Sequence, residues 1–345
     1  MPNPVLTEAI DALASGRDLS ADQASEVLAE VMAGEATDVE IAALLIGLRT
    51  KGETVDELAG LARTMRALAT PVATSRTDLL DTAGTGGGRT TFNVSTTAAL
   101  IAAGAGCAVA KHGNRSATSL SGSADVLEAL GARIDLDAQA VGRCIDEVGF
   151  GFLFAPAHHQ ATRFVVPVRR ELAVRTIFNF LGPLTNPAGA RRQLIGVADG
   201  RFLDVMAGAL AALGTDRALL VSSEDGLDEL STSGVTHVVE VNGQQIERYA
   251  VSPGDVGLAV SAPEAVAGGT PAENAAVTAA ILAGEAGPRR DLAVLNAGAA
   301  IYAGGRADSL AEGVQAAVAA IATGAAADAL ERYRALSSEL AGAAA

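Results

Sequence analysis

Apolar positions along the chain fall into two regimes. Over residues 3–68 they recur at helical spacing. Leu6, Ile10 and Leu13 form one stripe; Ala24, Val27, Leu28, Val31 and Met32 a second; Ile41, Leu44, Leu45 and Leu48 a third; Leu58, Leu61, Met65 and Leu68 a fourth. Polar signals separate them. Ser20 with Gln23 has the form of a capping box, Thr37-Asp38 opens the third run, Gly52 breaks it, and Thr54-Val-Asp-Glu opens the fourth. The pattern predicts four helices with short loops, a small helical domain over residues 1–72. Thr70-Pro71 to Arg76 reads as a connector.

From Asp78 the pattern changes. Short apolar runs at Asp78–Leu80, Cys107–Ala110, Gly151–Phe154, Leu194–Ala198, Ala218–Ser222 and Val235–Val241 alternate with helical stretches. This alternation predicts an α/β fold for residues 76–345, with a mainly parallel central sheet flanked by helices. Gly243-Gln-Gln, between two β-like runs, predicts a late hairpin. After Pro271 the clearest helices are Glu273–Ala283, Arg290–Ala303 and Leu310–Ile321; past Gly324, Ala325–Leu340 follows.

Composition narrows the function classes. The 345 residues are 49% hydrophobic but only 3% aromatic, so the core is expected to be Ala, Val, Leu and Ile. A net charge of −15 argues against a nucleic-acid partner. No apolar stretch has membrane-spanning length, and the first residues do not form a leader peptide. Cys107 and Cys144 fall in predicted core elements without metal-ligand spacing, and read as reduced thiols. Together these features predict a cytoplasmic protein with no membrane partner.

The candidate chemistry lies between Asp81 and Gly131. An apolar run ends in Gly84-Thr85-Gly86-Gly87-Gly88, and Asn93-Val94-Ser95-Thr96 then leads into an Ala-rich helix. Glycines permit positive φ and close backbone approach, and consecutive N–H groups beside a helix start suit phosphate. The P-loop is excluded because Arg89 follows Gly88, and the dinucleotide fingerprint fails at the same residue. A second run ends in Lys111-His112-Gly113-Asn114-Arg115-Ser116, where a strand should meet its loop; Ser119, Ser121 and Ser123 follow, and then a helix that closes at Gly131. Two strand ends thus offer glycine, hydroxyl and basic groups in succession, the place where open α/β sheets bind ligands.

GTGG…NVST with KHGNRS…SGSADVLEALG resembles the anthranilate phosphoribosyltransferases, a family of the nucleoside phosphorylase-like phosphoribosyltransferases. Val168-Arg169-Arg170-Glu-Leu, Arg175-Thr-Ile-Phe-Asn-Phe-Leu-Gly-Pro-Leu-Thr-Asn-Pro187, Asp225-Gly-Leu-Asp-Glu-Leu-Ser231, Glu273-Asn274, Gly284–Asp291 and Leu295-Asn296-Ala297 continue the likeness over nearly the whole chain. The resemblance implies transfer of a phosphoribosyl group from phosphoribosyl pyrophosphate (PRPP) to the amine of anthranilate in tryptophan biosynthesis, with Mg2+. It also implies a homodimer through the N-terminal helices, with residues 168–190 packed on those helices and the site between the two parts.

Residue roles follow from the same likeness. PRPP is expected at Gly84, Thr85, Gly86, Gly87, Gly88, Thr91, Asn93, Val94, Ser95, Thr96, Lys111, Asn114, Arg115, Ser119 and Ser123. Anthranilate is expected at Gly84, His112, Asn114, His159, Arg169 and Pro183, with Gly182 beside the ring. Arg169 suits the carboxylate because a guanidinium can donate two parallel hydrogen bonds to it. His112 can equally hold its own loop. Asp228 and Glu229, which by residue type alone are two solvated turn acids, become the metal ligands with Ser95. Asp225 reads as structural, His158 as a surface residue, His237 as structural, and Arg170 and Arg175 as partners in ion pairs. No role is certain to be catalytic, because positioning and electrostatics dominate this transfer.

Three departures stand out. The family's loop has Asp after GTGG and one more residue; here Gly88-Arg89-Thr90-Thr91-Phe92 follows. Ser222-Ser223 stand where His-Gly is usual, and His159-Gln160-Ala161-Thr162 where His-Pro-Ala-Met is usual. The alternatives are a pyrimidine nucleoside phosphorylase, which shares the architecture, and a non-catalytic nucleic-acid-binding relative. Thymidine with phosphate tests the first, and a salt-dependent DNA shift the second.

Overall fold

The computed structural model describes residues 2–116 and 120–343. Four helices open the chain, each with its own start signal. In α1 (Pro4–Ala14) the Asn3 side chain accepts from the N–H groups of Val5 and Leu6. Reciprocal capping boxes begin α2 (Ala21–Ala33, Ser20 with Gln23), α3 (Asp38–Lys51, Thr37 with Glu40) and α4 (Val55–Leu68, Thr54 with Glu57). Glu57 does more than cap. Fully buried, it also accepts from Leu19 N–H at 2.9 Å and Lys51 Nζ at 3.1 Å, which joins α3, α4 and the loop before α2 at one carboxylate.

The strands are β1 (Leu79–Asp81), β2 (Ala108–Gly113), β3 (Phe150–Phe154), β4 (Arg192–Gly196), β5 (Arg217–Ser223), β6 (Thr236–Asn242) and β7 (Gln245–Val251). They form one sheet in the order β3-β2-β1-β4-β5-β6-β7. The first five run parallel, with Leu80 paired to both Val109 and Arg192, and β6 and β7 run antiparallel. The hairpin turns at Gly243, whose φ is 60°. Alternating α and β patterning therefore gives the mainly parallel sheet expected for it. The other strand ends move by a residue or two, β4 starting at Arg192 and ending at Gly196, but one boundary matters most. Strand β2 continues through Lys111 and His112 to Gly113, so these side chains belong to a buried strand and not to the loop after it. Pairing with Phe152 and Leu153 of β3 carries the ladder that far.

Between the strands lie α5 (Val94–Gly104), α6 (Ser123–Ala129), α7 (Ala138–Val148), α8 (Ala155–His158), α9 (Val166–Leu172), α10 (Phe178–Leu184) and α11 (Leu203–Ala212); α12 (Pro271–Leu282), α13 (Pro288–Ala303), α14 (Leu310–Ala322) and α15 (Ala325–Ala343) close the chain. Two cores result. On one face of the sheet, Ile195, Leu220 and Val239 share a core with α1–α4, α11 and the segment carrying Val168, Ile177, Phe178 and Leu184. On the other, Leu80, Val109 and Leu219 meet α5, α7 and α12–α15. Small residues let these helices approach closely: a Cβ on Gly298 would lie 2.6 Å from Val314 N. That is how an Ala-rich chain packs without tryptophan. Both cysteines are buried and free. Among the described residues no single helix is long and apolar enough to cross a membrane.

Candidate functional site

The carboxyl ends of β1, β2, β4 and β5 converge on the glycine loop. Gly86 and Gly87 hold φ of 66° and 87° and lie exposed. Thr85 anchors the loop to β4: its N–H donates to Gly196 O at 2.8 Å, and its Oγ1 accepts from Ala198 N–H at 3.1 Å. Gly84 packs 3.0 Å, measured from where a Cβ would stand, from Gly196 O. A Cβ on Gly88 would collide with the Asp228 carboxylate. That carboxylate accepts from the N–H groups of Gly88 and Gly86, so the loop's donors converge on an anionic group already in this structure.

Helix α5 begins beside the loop. Val94 and Thr96 are buried, so Val94 can offer a ligand only backbone, and its N–H already donates to Phe92 O at 2.7 Å. Thr96 Oγ1 is buried without a hydrogen-bond partner. Asn93 does not cap the helix with its side chain. Its Oδ1 accepts from Ser121 Oγ and from Asn274 Nδ2, both at 2.9 Å, which ties the second loop and α12 to the start of α5. Thr91 is half-buried and backs onto Gly268, where a Cβ would collide with the Thr91 carbonyl.

Lys111 reaches beneath this arrangement from β2. Its Nζ donates to Thr82 Oγ1 at 2.9 Å and to Ser95 Oγ at 3.4 Å. Burial lowers its pKa to about 8, with the charges of Asp81 and Glu229 opposing. Asp81 is fully buried at the end of β1, and burial pushes it up to about 6 although it accepts from Asn186 Nδ2 at 2.8 Å and from His112 N–H at 3.0 Å.

The second loop is only partly brought to the first. Asn114 is exposed; its N–H donates to Ser123 Oγ at 3.2 Å, and its Oδ1 accepts from Arg115 N–H at 2.7 Å. Arg115 turns its guanidinium to Glu128 and Asp125 of α6, at 2.6 and 2.7 Å, and so away from the glycine loop. Ser119 lies outside the described residues.

Asp228 and Glu229 sit, half-buried, in the turn after β5. Burial raises both, and Glu229 is raised further by the charge of Asp228 beside it. Two of the three departures noted in the sequence meet here. Ser223 Oγ donates to Glu229 O at 2.6 Å, holding the turn. Arg89 of the glycine loop donates to Asp225 Oδ2 at 2.9 Å and to Pro263 O at 2.8 Å. Asp225 also accepts from Ser231 Oγ at 2.8 Å, a structural role. Among the described residues no three His, Cys, Asp or Glu side chains form a metal cage.

On the helical side, His112 and His159 stand with ring centroids 5.1 Å apart. His112 Nδ1 lies 3.1 Å from Gly182 O, and a carbonyl only accepts, so Nδ1 carries the hydrogen. Its Nε2 is then a buried, unpartnered acceptor, and His159 Nε2 is likewise buried without a partner. Burial lowers His112 to about 3 and His159 to about 4, so both are neutral near pH 7. A Cβ on Gly182 would meet nothing within 4 Å, which leaves open space beside Pro183. Arg169, on α9, is half-buried over the Phe178 ring, 5.5 Å from its centroid, and burial lowers its pKa.

Three expectations are corrected. His158 is buried, with Nδ1 3.1 Å from Thr70 O, and holds the connector; it is not a surface residue. Arg170 is exposed and pairs with no acid among the described residues. Arg175 donates to a neutral carbonyl, Gly86 O, at 2.6 Å, in place of an ion pair. Arg89 and Arg175 are the site residues that sequence reading missed. Arg89 was visible as the residue that breaks the loop motifs, whereas nothing local marks Arg175. His237 is exposed on β6, 3.3 Å from Glu224.

Residues 76–327 match the model of the glycosyl transferase family a/b domain, and residues 7–69 that of the same family's helical bundle domain. An anthranilate phosphoribosyltransferase of Symbiobacterium thermophilum is 53% identical over 93% of this chain and 95% of its own. One of Rubrobacter xylanophilus is 51% identical over 98% and 99%. The crystal structure of the Thermus thermophilus anthranilate phosphoribosyltransferase superposes with a TM-score of 0.91 at 49% identity, covering 95% of this chain and 99% of that one. The Saccharomyces cerevisiae enzyme in complex with PRPP and Mg gives 0.88 at 26% identity, covering 97% and 98%.

Proposed function

This chain belongs to the anthranilate phosphoribosyltransferase family of glycosyl transferases, and from that premise we propose how its own residues carry the reaction. The activity is transfer of the 5-phosphoribosyl group from PRPP to the amine of anthranilate, releasing pyrophosphate. The anomeric C–O bond breaks as charge like that of an oxocarbenium ion builds on the ribose. The protein's task is to hold a polyanion on one side and an amine on the other.

PRPP lies on the glycine loop and the start of α5. The N–H groups of Gly86 and Gly88 and the hydroxyls of Ser95 and Thr96 meet the phosphates, and Lys111 supplies charge from below. Asn93 and Ser123 hold the second loop in place for the ribose phosphate. Asp228 and Glu229 offer oxygen donors only, which suits a hard cation, and two raised neighbouring carboxylates are an arrangement that a cation relieves. With Ser95 beside them, these two carboxylates are the residues that would hold magnesium, and a cation held there would supply positive charge to the leaving pyrophosphate.

Anthranilate lies between the histidines and α9–α10. The Arg169 guanidinium grips its carboxylate, the ring enters the open space at Gly182-Pro183, and an amine N–H donates to His112 Nε2. Neutral histidines place no cation beside the developing positive charge. The observation that carries this reading is Arg169: a half-buried guanidinium, packed on Phe178 with no counter-ion among the described residues. Mixing protein, PRPP, magnesium and anthranilate should remove anthranilate fluorescence. Persistence of the fluorescence, with turnover of thymidine and phosphate instead, would replace this reading by a nucleoside phosphorylase.

A further inference from the structure

Arg175 lies in the short link between α9 and α10, yet its guanidinium rests on the glycine loop. Nη2 donates to Gly86 O at 2.6 Å. A side chain on Gly87 would collide with the same nitrogen, so the guanidinium lies against bare backbone. The loop at Gly86 and Gly87 is solvent-exposed on this side. The backbone of Arg175 is itself fixed: Arg49 Nη1 of α3 donates to Arg175 O at 2.6 Å, and Thr176 N–H donates to Asn179 Oδ1 at 3.0 Å.

We propose that Arg175 is a further pyrophosphate-binding residue of the donor site, a role that rests on PRPP being the donor. A guanidinium has five N–H donors in a planar fork that matches phosphate oxygens. Here one is engaged by a neutral carbonyl. Hydrogen bonds to an anionic oxygen are roughly twice as strong as those to a neutral acceptor, so pyrophosphate outcompetes Gly86 O for this group. The partner of the loop's N–H groups is Asp228, and that of its exposed carbonyl is Arg175; a bound pyrophosphate offers oxygens to both the N–H groups and the guanidinium. The loop Gly84–Phe92 brings no carboxylate of its own to repel the phosphates or to pair with Arg175. Because Arg49 anchors Arg175 from α3, the same contact joins the helical part of the chain to the donor.

Calorimetric titration of the full chain with inorganic pyrophosphate at fixed magnesium tests this. Arg175→Ala should weaken pyrophosphate binding by about tenfold or more, the loss expected when a charge-assisted hydrogen bond is removed. Arg175→Lys, which keeps the charge without the fork, should recover part of it. The KM for anthranilate and the thermal midpoint should stay near wild type. Arg175→Gln carries the same test if the alanine variant does not fold. Wild-type pyrophosphate affinity in the variants overturns the proposal. So does parallel loss of pyrophosphate and anthranilate affinity with a lowered thermal midpoint, which would make Arg175 a packing latch. Failure of the wild-type protein to bind either pyrophosphate or PRPP overturns the donor reading itself, and the proposal with it.

Discussion

Arg89 Nη2 lies 2.9 Å from Asp225 Oδ2, so the glycine loop is fastened to the turn that carries Asp228 and Glu229. The Arg89 N–H adds a second tie, to Gly226 O at 2.7 Å. The glycine loop is thus closed here by an arginine. Replacing it with alanine should loosen the loop and leave Asp225 with Ser231 as its remaining side-chain partner. The KM for PRPP should rise by the equivalent of about 1–2 kcal/mol, allowing for solvent screening at a pair that is part exposed, with the KM for anthranilate changed far less. Steady-state kinetics with PRPP varied would expose an unchanged KM, and with it a dispensable tie.

Arg169→Ala should weaken anthranilate use by about 1.5–3 kcal/mol while PRPP affinity stays near wild type. Lysine at this position should restore charge but not the bidentate grip. Equal damage to both substrates' apparent affinities would contradict the assignment.

Asp228→Asn combined with Glu229→Gln removes both acidic ligands and keeps their shape. Turnover should nearly vanish at ordinary magnesium concentrations. Circular dichroism should show the fold intact, because the substitutions keep the shape of two half-buried side chains. Full activity with an unshifted magnesium titration would end the metal assignment.

The buried histidines predict an acid limit to stability. His112 and His159 have folded pKa values of about 3 and about 4, below the unfolded value near 6.5. The unfolded chain therefore takes up protons first. Their contribution to stability is complete above pH 6.5 and falls as the pH drops towards the folded values, by about 1.4 kcal/mol per pH unit for each histidine. Chemical denaturation between pH 7.5 and pH 5 should show wild type losing more stability than His159→Asn. Parallel losses in both proteins would mean that the ring is protonated as readily in the folded state.

The homodimer that the family resemblance implies can be tested at an exposed apolar set on the helical part. Val39 is 78% exposed and Ile46 37% on α3, Val166 opens the adjoining α9 at 42%, and Val174 follows it at 43%. Val39→Glu with Ile46→Glu should shift the sedimentation coefficient from dimer to monomer at micromolar concentration. A wild type that sediments as a monomer would remove the proposal.

Local chemistry sufficed for the fold class and most of its elements. Capping boxes at Ser20, Thr37 and Thr54, the helical apolar stripes and the alternation after Asp78 act over a few residues, so the four helices and the mainly parallel sheet could be read directly. The glycine loop stood out for the same reason, whereas Asp228 and Glu229 looked like solvated turn acids until the family resemblance singled them out. What local sequence does not carry is how far strand pairing extends and which distant side chains arrive. Pairing with β3 carried Lys111 and His112 into the sheet, where burial, a property of the assembled core, lowers the pKa of both. Arg115, adjacent in sequence to the phosphate segment, was claimed by Glu128 and Asp125 across one turn of packing. Arg175, eighty-nine residues from Gly86, reached the loop only because α9 and α10 fold back on the first helices. Periodicity records which face of an element is apolar; the partner that covers that face, and the charge that comes with it, is decided when the chain closes on itself.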